Sequence, residues 1–175
     1  ATDGTALRIV YMDATQGWVP TIDKTVEDVP SKGNSEGIFL WGDSGGTNLI
    51  SNTGVVSADT STPAGAVAKQ LAAATQYGGD KGIVAFGNTY VDESNLITNA
   101  GVVATDVSAV GTARSSLAAC EYGTDTAIFA YGYTGSVSSL SNKVSNLGVI
   151  ASDVTGVGTA RRLLGACSYG GDKGI

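Results

Sequence analysis

Two sets of carboxylates recur along this chain at intervals that invite a chemical reading. Asp80, Asp125 and Asp172 each sit in a Gly-Gly-Asp or Gly-Thr-Asp turn, and three such groups brought together would hold a cation. The plainer reading, preferred here, is that each Asp bonds the backbone of its own turn. Asp59, Asp106 and Asp153 are spaced 47 residues apart, and Lys69, Arg114 and Arg161 follow them in turn. Such an alternation of acid and cation either joins successive structural units by an ion pair or backbone contact, or forms a polar rim that meets a ligand. The first is the simpler. Tyr90 and Tyr133, with hydroxyls beside them, can stack on sugars. With Asp43, Asn88, Asp92 and Ser136 they form the candidate ligand-contact set. All six lie in stretches 43–47, 88–94 and 133–141, which differ while the frame around them repeats, and surface loops are where binding usually resides. Ordinary loop variation is the competing explanation.

The chemistry that the chain lacks is as informative. There is no His among 175 residues, which removes the commonest general base and metal ligand. No Ser-His-Asp or Cys-His nucleophile can be assembled, and Ser115-Ser116 carries no catalytic signature. The Gly-rich stretches do not precede helical patterns, so no phosphate cradle is expected. No catalytic residue, metal or cofactor is therefore assigned. Ten Lys and Arg against sixteen acids give a net charge of −6, which argues against a nucleic-acid partner, since binding a phosphate backbone needs clustered cations. No apolar run approaches the ~20 residues of a membrane span. No signal peptide is evident, and a start at Ala1 without Met suggests a processed chain or a fragment. Cys120 and Cys167 fall at the same place in successive repeats. They are expected to be buried, reduced and unbonded, because equivalent positions in neighbouring units usually lie beyond the ~4.4–6.8 Å that a disulfide allows between Cα atoms.

The frame that must position these residues is a repeat. GTARSSLAACEYGTD (111–125), TAIFAYG (126–132), a variable loop and NKVSNLG (142–148) form one turn of it. YGGDKGIVAFG (77–87) with NLITNAGVVATDV (95–107), and GIFLWG (37–42) with NLISNTGVVSADT (48–60), match it upstream. Gly54, Gly101 and Gly148 recur every 47 residues, and a period in the forties marks an array or propeller. Each unit offers four short strands. The first holds small residues such as Ala118, Ala119 and Cys120. The second alternates bulky and lean, with Trp41, Phe86 and Tyr131 expected beside Phe39, Val84 and Phe129 on one face. The third and fourth form a hairpin around Asn-x-Gly, where Gly54, Gly101 and Gly148 take the left-handed conformation of a bulged three-residue loop.

This predicts an all-β fold of four-stranded antiparallel blades, each of about 47 residues and buried on both faces: a β-propeller. A helical solenoid is excluded because the glycines leave only 71–75 as a helix-like run, and a β-solenoid because its coils are usually much shorter. Residues 1–36 form an N-terminal β-hairpin and linker, or a degenerate first strand. Residues 37–175 carry about three blades and the start of a fourth. Propellers close with ~4–8 blades, so the ring is expected to be incomplete and to need further sequence or partner chains.

The order of basic residue, apolar first strand, polar turn, I-x-x-x-G second strand and later hairpin resembles the Kelch family. The Kelch double glycine is replaced here by Gly87-Asn88 and Gly132-Tyr133, and the late Trp is absent. More specifically, TARxxLAAxxYGGDKxIxxYG with NLxSNTGVVxxD is similar to the degenerate Kelch-like repeats of bacteriophage structural proteins, especially of aquatic phages. LRIVYMDATQGWVPT (7–21) resembles a segment common in phage fibre and other virion proteins. The resemblance implies a non-enzymatic virion protein of a tail fibre or other external appendage that contributes to host attachment. Its partners would be other virion subunits, further copies of itself and host-surface glycans. A carbohydrate-binding propeller lectin outside any virion is the alternative.

Overall fold

The computed structural model describes residues 7–13, 17–22, 36–43, 45–88, 91–108 and 111–175. The chain divides into two compact units, Ala1–Lys32 and Gly33–Ile175. The first contains an antiparallel hairpin of β1 (Leu7–Asp13) and β2 (Gly17–Ile22), with Val10 opposite Val19 and a register slip between Tyr11 and Asp13. Pro20 is tolerated in β2 because a two-stranded sheet consists of edges, where a missing N–H need not break a ladder.

The second unit is all-β, with no helix among the described residues. It consists of small antiparallel sheets in chain order. β3 (Gly37–Leu40) pairs with β4 (Thr47–Ile50). β5 (Ala73–Tyr77), β6 (Lys81–Ala85), β7 (Glu93–Ile97) and β8 (Val107–Ser108) form a four-stranded meander. β9 (Ala118–Tyr122), β10 (Thr126–Ala130) and β11 (Ser141–Val144) repeat it, and β12 (Ser168–Tyr169) pairs with β13 (Lys173–Gly174). The sheets are open, and no ring is closed among the described residues. The helix-like run at 71–75 instead leads into β5, where its small side chains let the strand pack beside β9.

Burial explains the order of the sheets. Val84, Ile97 and Val103 of the second sheet pack against Ile38, Leu40 and Trp41 of the first. On the other side, Ala73, Ile83 and Ala85 pack against Ala127, Phe129, Val144 and Ile150 of the third. Between the second and third sheets the small Ala73 and Ala85 meet the bulky Phe129 and Val144, large against small, which suits packing at native density. Phe39 and Val56 are the first-sheet counterparts of Val84 and Val103. They are 59% and 51% exposed, because no described residue covers that face. Facing the other end, Cys120, Ile128, Ala130, Leu164 and Ile175 line a cavity of ≈ 350 Å³.

Backbone bonds between sheets repeat with the units. The Gly78 N–H donates to the Asp125 carbonyl and the Gly123 N–H to the Asp172 carbonyl. The Ser116 N–H donates to Leu71 and the Leu163 N–H to Ser116, so these three residues form a head-to-tail file. All three have positive φ, at 51°, 56° and 56°. A strained conformation that recurs at one repeat position is imposed by the packing around it.

The hairpin turns have the expected form. Gly54, Gly101 and Gly148 have φ of 80°, 75° and 79°. Their N–H groups donate to Ser51, Thr98 and Ser145, each at 2.9 Å. The hydroxyls of Ser51, Thr98 and Ser145 in turn accept from the N–H of Val55, Val102 and Val149. The fourth strand is less regular than expected. Only β8 is a strand; its counterparts are reduced to the bridges Ile50↔Val56 with Thr47↔Thr60, and Val144↔Ile150 with Ser141↔Val154. Each pair of bridges encloses two residues on one side and three on the other, which is a β-bulge.

Candidate functional site

The second strand of each unit ends in an aromatic residue with positive φ: Trp41 at 61°, Phe86 at 62° and Tyr131 at 65°. That turn overturns the expected sharing of a face. Val84 packs toward the first sheet and Phe86 toward the third, where it meets Phe129 edge-on at 5.6 Å. A left-handed residue does not continue the alternation of a strand. After Phe86 and Tyr131 the glycine that follows is required by close approach. A Cβ on Gly87 would lie 2.8 Å from the Gln70 carbonyl oxygen, and one on Gly132 would lie 2.7 Å from that of Ser115.

Each of these rings carries a cation from the next unit. Lys69 Nζ lies 5.1 Å from the centre of the Trp41 ring, Arg114 Cζ 4.1 Å from Phe86 and Arg161 Cζ 4.0 Å from Tyr131. Lys69 and Arg114 are buried. Lys69 donates to Asn95 at 2.7 Å, Asp106 at 2.8 Å and the Val67 carbonyl at 3.1 Å. Arg114 donates to Asn142 at 2.6 Å and the Thr112 carbonyl at 3.2 Å, with Asp153 at 3.8 Å.

The acid partner is therefore not the one that neighbours the cation in sequence. Lys69 bonds Asp106 rather than Asp59, so the ion pair closes a unit on itself, and contact with the preceding unit is made through the aromatic ring. The bulge explains this pairing. Its extra residue is Asp59, Asp106 or Asp153, which turns toward the opposite strand; Asp106 and Asp153 are half-buried there and Asp59 is exposed. Asn48, Asn95 and Asn142 opposite then donate both to that carboxylate, at 2.6, 2.8 and 2.9 Å, and to the carbonyls of Ser57, Ala104 and Ala151. The three asparagines recur every 47 residues, which is the signal that would have found them.

Burial raises the Asp106 carboxyl, but bonds from Lys69, Asn95 and the Val67 N–H outweigh it and hold the group below its ordinary value. Asp153 is likewise raised by burial and lowered further by Thr112, Asn142 and Arg114. Burial depresses Arg114 to about 10, against the pull of Asp153. That still leaves the guanidinium charged at neutral pH.

The turn carboxylates have side-chain partners rather than their turn backbone alone. Asp80 accepts from Lys81 and Asn99, Asp125 from Asn146 and Asp172 from Lys173. Asn99 and Asn146 come from the hairpin turn at the same end of the sheet, so these bonds tie its two turns together. Among the described residues no three His, Cys, Asp or Glu side chains come together. Cys120 is buried and Cys167 exposed, and both are free thiols. The expectation that both are buried fails for Cys167 because its short sheet has no described neighbour over it. Burial, with the nearby Cys167, pushes the Cys120 thiol up.

The candidate loop residues lie at the end of the sheets that carries the stacked cations. Asp43 and Ser136 are exposed, and Asp92 is half-buried. The Asn88 backbone and side-chain amides donate to the Gln70 carbonyl and Oε1 at 2.6 and 3.2 Å. Tyr90 lies outside the described residues. Tyr133 is half-buried beneath Arg162, whose Cζ is 4.3 Å from the ring centre. Arg162 was not singled out from the sequence. No family model matches the chain, and no curated protein matches it.

Proposed function

We propose that this chain is a segment of a Kelch-like β-propeller in a bacteriophage virion. It acts without catalysis, as part of a tail fibre or other external appendage that contributes to host attachment. The observation that supports this most is the repeated interface. At equivalent repeat positions a cation, Lys or Arg, lies over an aromatic ring, Trp, Phe or Tyr, of the preceding unit, and backbone bonds between the later sheets repeat in the same way. A repeated interface of this kind builds a rigid frame and leaves the loops after each second strand free to differ. A propeller of ~4–8 such blades would cover the apolar face of Phe39 and Val56 with a further unit, from this polypeptide or from another subunit.

Mass spectrometry of purified phage particles tests the proposal. Peptides of this chain recovered at a stoichiometry typical of appendage proteins are the expected result. The lectin reading is supported by the loops themselves: Asp43, Asn88 and Tyr133 occupy one repeat position with three different chemistries. Binding to a glycan array by a protein absent from particles would favour it.

A further inference from the structure

The cation of the second unit differs in kind from those that follow. Lys69 stands where Arg114 and Arg161 stand later, and its side chain is only 2% exposed. Its Nζ lies 2.7 Å from Oδ1 of the fully buried Asn95, so it is held against the amide group. The Trp41 ring lies over it at 5.1 Å. Oδ1 of Asp106 is 2.8 Å from Lys69 Nζ and 2.8 Å from Asn95 Nδ2. One carboxylate oxygen thus bridges an amine and the nitrogen of the amide that the amine touches. Glu93 stands farther off, with Oε2 3.7 Å from Nζ. Lys69, Asn95 and Asp106 all belong to the second unit, whose sheet is packed on both sides by described neighbours.

We infer that Lys69 and Asn95 condense within the folded unit to an isopeptide bond, with Asp106 relaying the protons and ammonia leaving. The Lys69–Asp106 ion pair is the reactant state. Lys69 gives one proton to Asp106, and the freed lone pair of Nζ attacks Asn95 Cγ. The Nζ–Cγ bond forms and the carbonyl π pair moves to Oδ1. A second proton passes from Nζ to Nδ2 by way of the Asp106 carboxyl, which is general acid–base catalysis. The carbonyl re-forms, the Cγ–Nδ2 bond breaks with its electrons on nitrogen, and ammonia leaves, taking up the proton that Asp106 still holds. One C–N bond replaces another, and no oxidant or co-reactant is needed. Contact between the groups makes the step unimolecular, and desolvation is one of the ways in which a lysine amine is made nucleophilic. The next unit supplies the contrast. Arg114 fills this place against Asn142 at 2.6 Å, and a guanidinium, which keeps its proton, has no lone pair to attack with. The bond would tie the segment leading into β5 to β7 across β6, so that tension on this sheet is carried covalently.

Tryptic mass mapping of the folded full chain, fresh and after several weeks, tests the bond. Trypsin does not cut after an acylated lysine. The expected product is residues 33–81 joined to residues 82–114, lighter than the two peptides together by one ammonia. Lys69→Arg, which copies Arg114, should fold and give no joined product. Asp106→Asn should slow its appearance by about 100-fold or more; should that variant fail to fold, the map of the unaltered chain still decides. Cleavage after Lys69 throughout the aged chain would overturn the inference. So would a joined product lighter by water, which places the bond on Asp106 instead, or loss of ammonia with no joined peptides, as a succinimide gives. An unchanged rate in a folded Asp106→Asn would overturn the relay. The attachment reading does not enter this test and stands or falls on particle mass spectrometry alone.

Discussion

Arg114 lies over Phe86, its guanidinium carbon 4.1 Å from the ring centre, and the two residues belong to neighbouring repeats. Arg114 is fully buried and its nearest side-chain partner is the amide oxygen of Asn142, not a carboxylate. The contact therefore joins two units at a point where both the ring and the cation are out of water. Removing one partner of a buried polar set costs about 3–5 kcal/mol, because the groups left behind lose their bonds. Arg114→Leu should cost that much in urea denaturation. Arg114→Lys should cost far less, because Lys69 performs the same task one unit earlier. Equal losses for the two variants would show that the stacked cation is not what matters.

Acid should weaken the fold through Asp106 and Asp153. Both carboxyls are held below their ordinary value in the folded chain. Their contribution is thus present above the unfolded value, near pH 4, and is lost as pH falls through the lower folded value. Denaturation midpoints should drop over that window, and Asp153→Asn should flatten the drop. A midpoint unchanged between pH 5 and pH 2 would contradict this linkage.

Thr124 occupies φ 77° in a turn whose counterparts are Gly79 and Gly171 at 82° and 81°. A β-branched residue with positive φ is strained. Thr124→Gly should stabilise the chain by about 1 kcal/mol, the relieved strain exceeding the added freedom of the unfolded glycine. A lower melting temperature for the variant would count against it.

Gly148→Val should do the reverse at the bulged turn. Its φ is 79°, and an added Cβ would approach Leu96 to 2.7 Å and Tyr77 to 3.0 Å. A loss of about 1–3 kcal/mol in thermal or urea unfolding is expected. A neutral result would mean that the turn rebuilds without cost.

Legibility followed the range of the interaction. The Asn-x-Gly loops could be read because bulged-turn geometry is set within five residues, and Gly54, Gly101 and Gly148 meet it. The strand positions followed from alternation for the same reason. The partner of Lys69 could not be read, because Asp106 reaches it across 37 residues only after a bulge turns the acid inward. Nor could the side taken by Phe86, since a positive φ in a bulky residue is imposed by tertiary packing and leaves no mark in the pattern. Arg162 was hidden by its neighbour: Arg161 fits the repeat, and the departure from it stands one residue later.

Immunogold electron microscopy of intact particles, with an antibody raised against residues 133–141, is the most direct test of the central claim that this frame displays binding loops on a virion. The account predicts gold on an external appendage and reduced adsorption to host cells when the antibody is present. Particles that remain unlabelled, while the same antibody captures the chain from the cleared lysate, would contradict it.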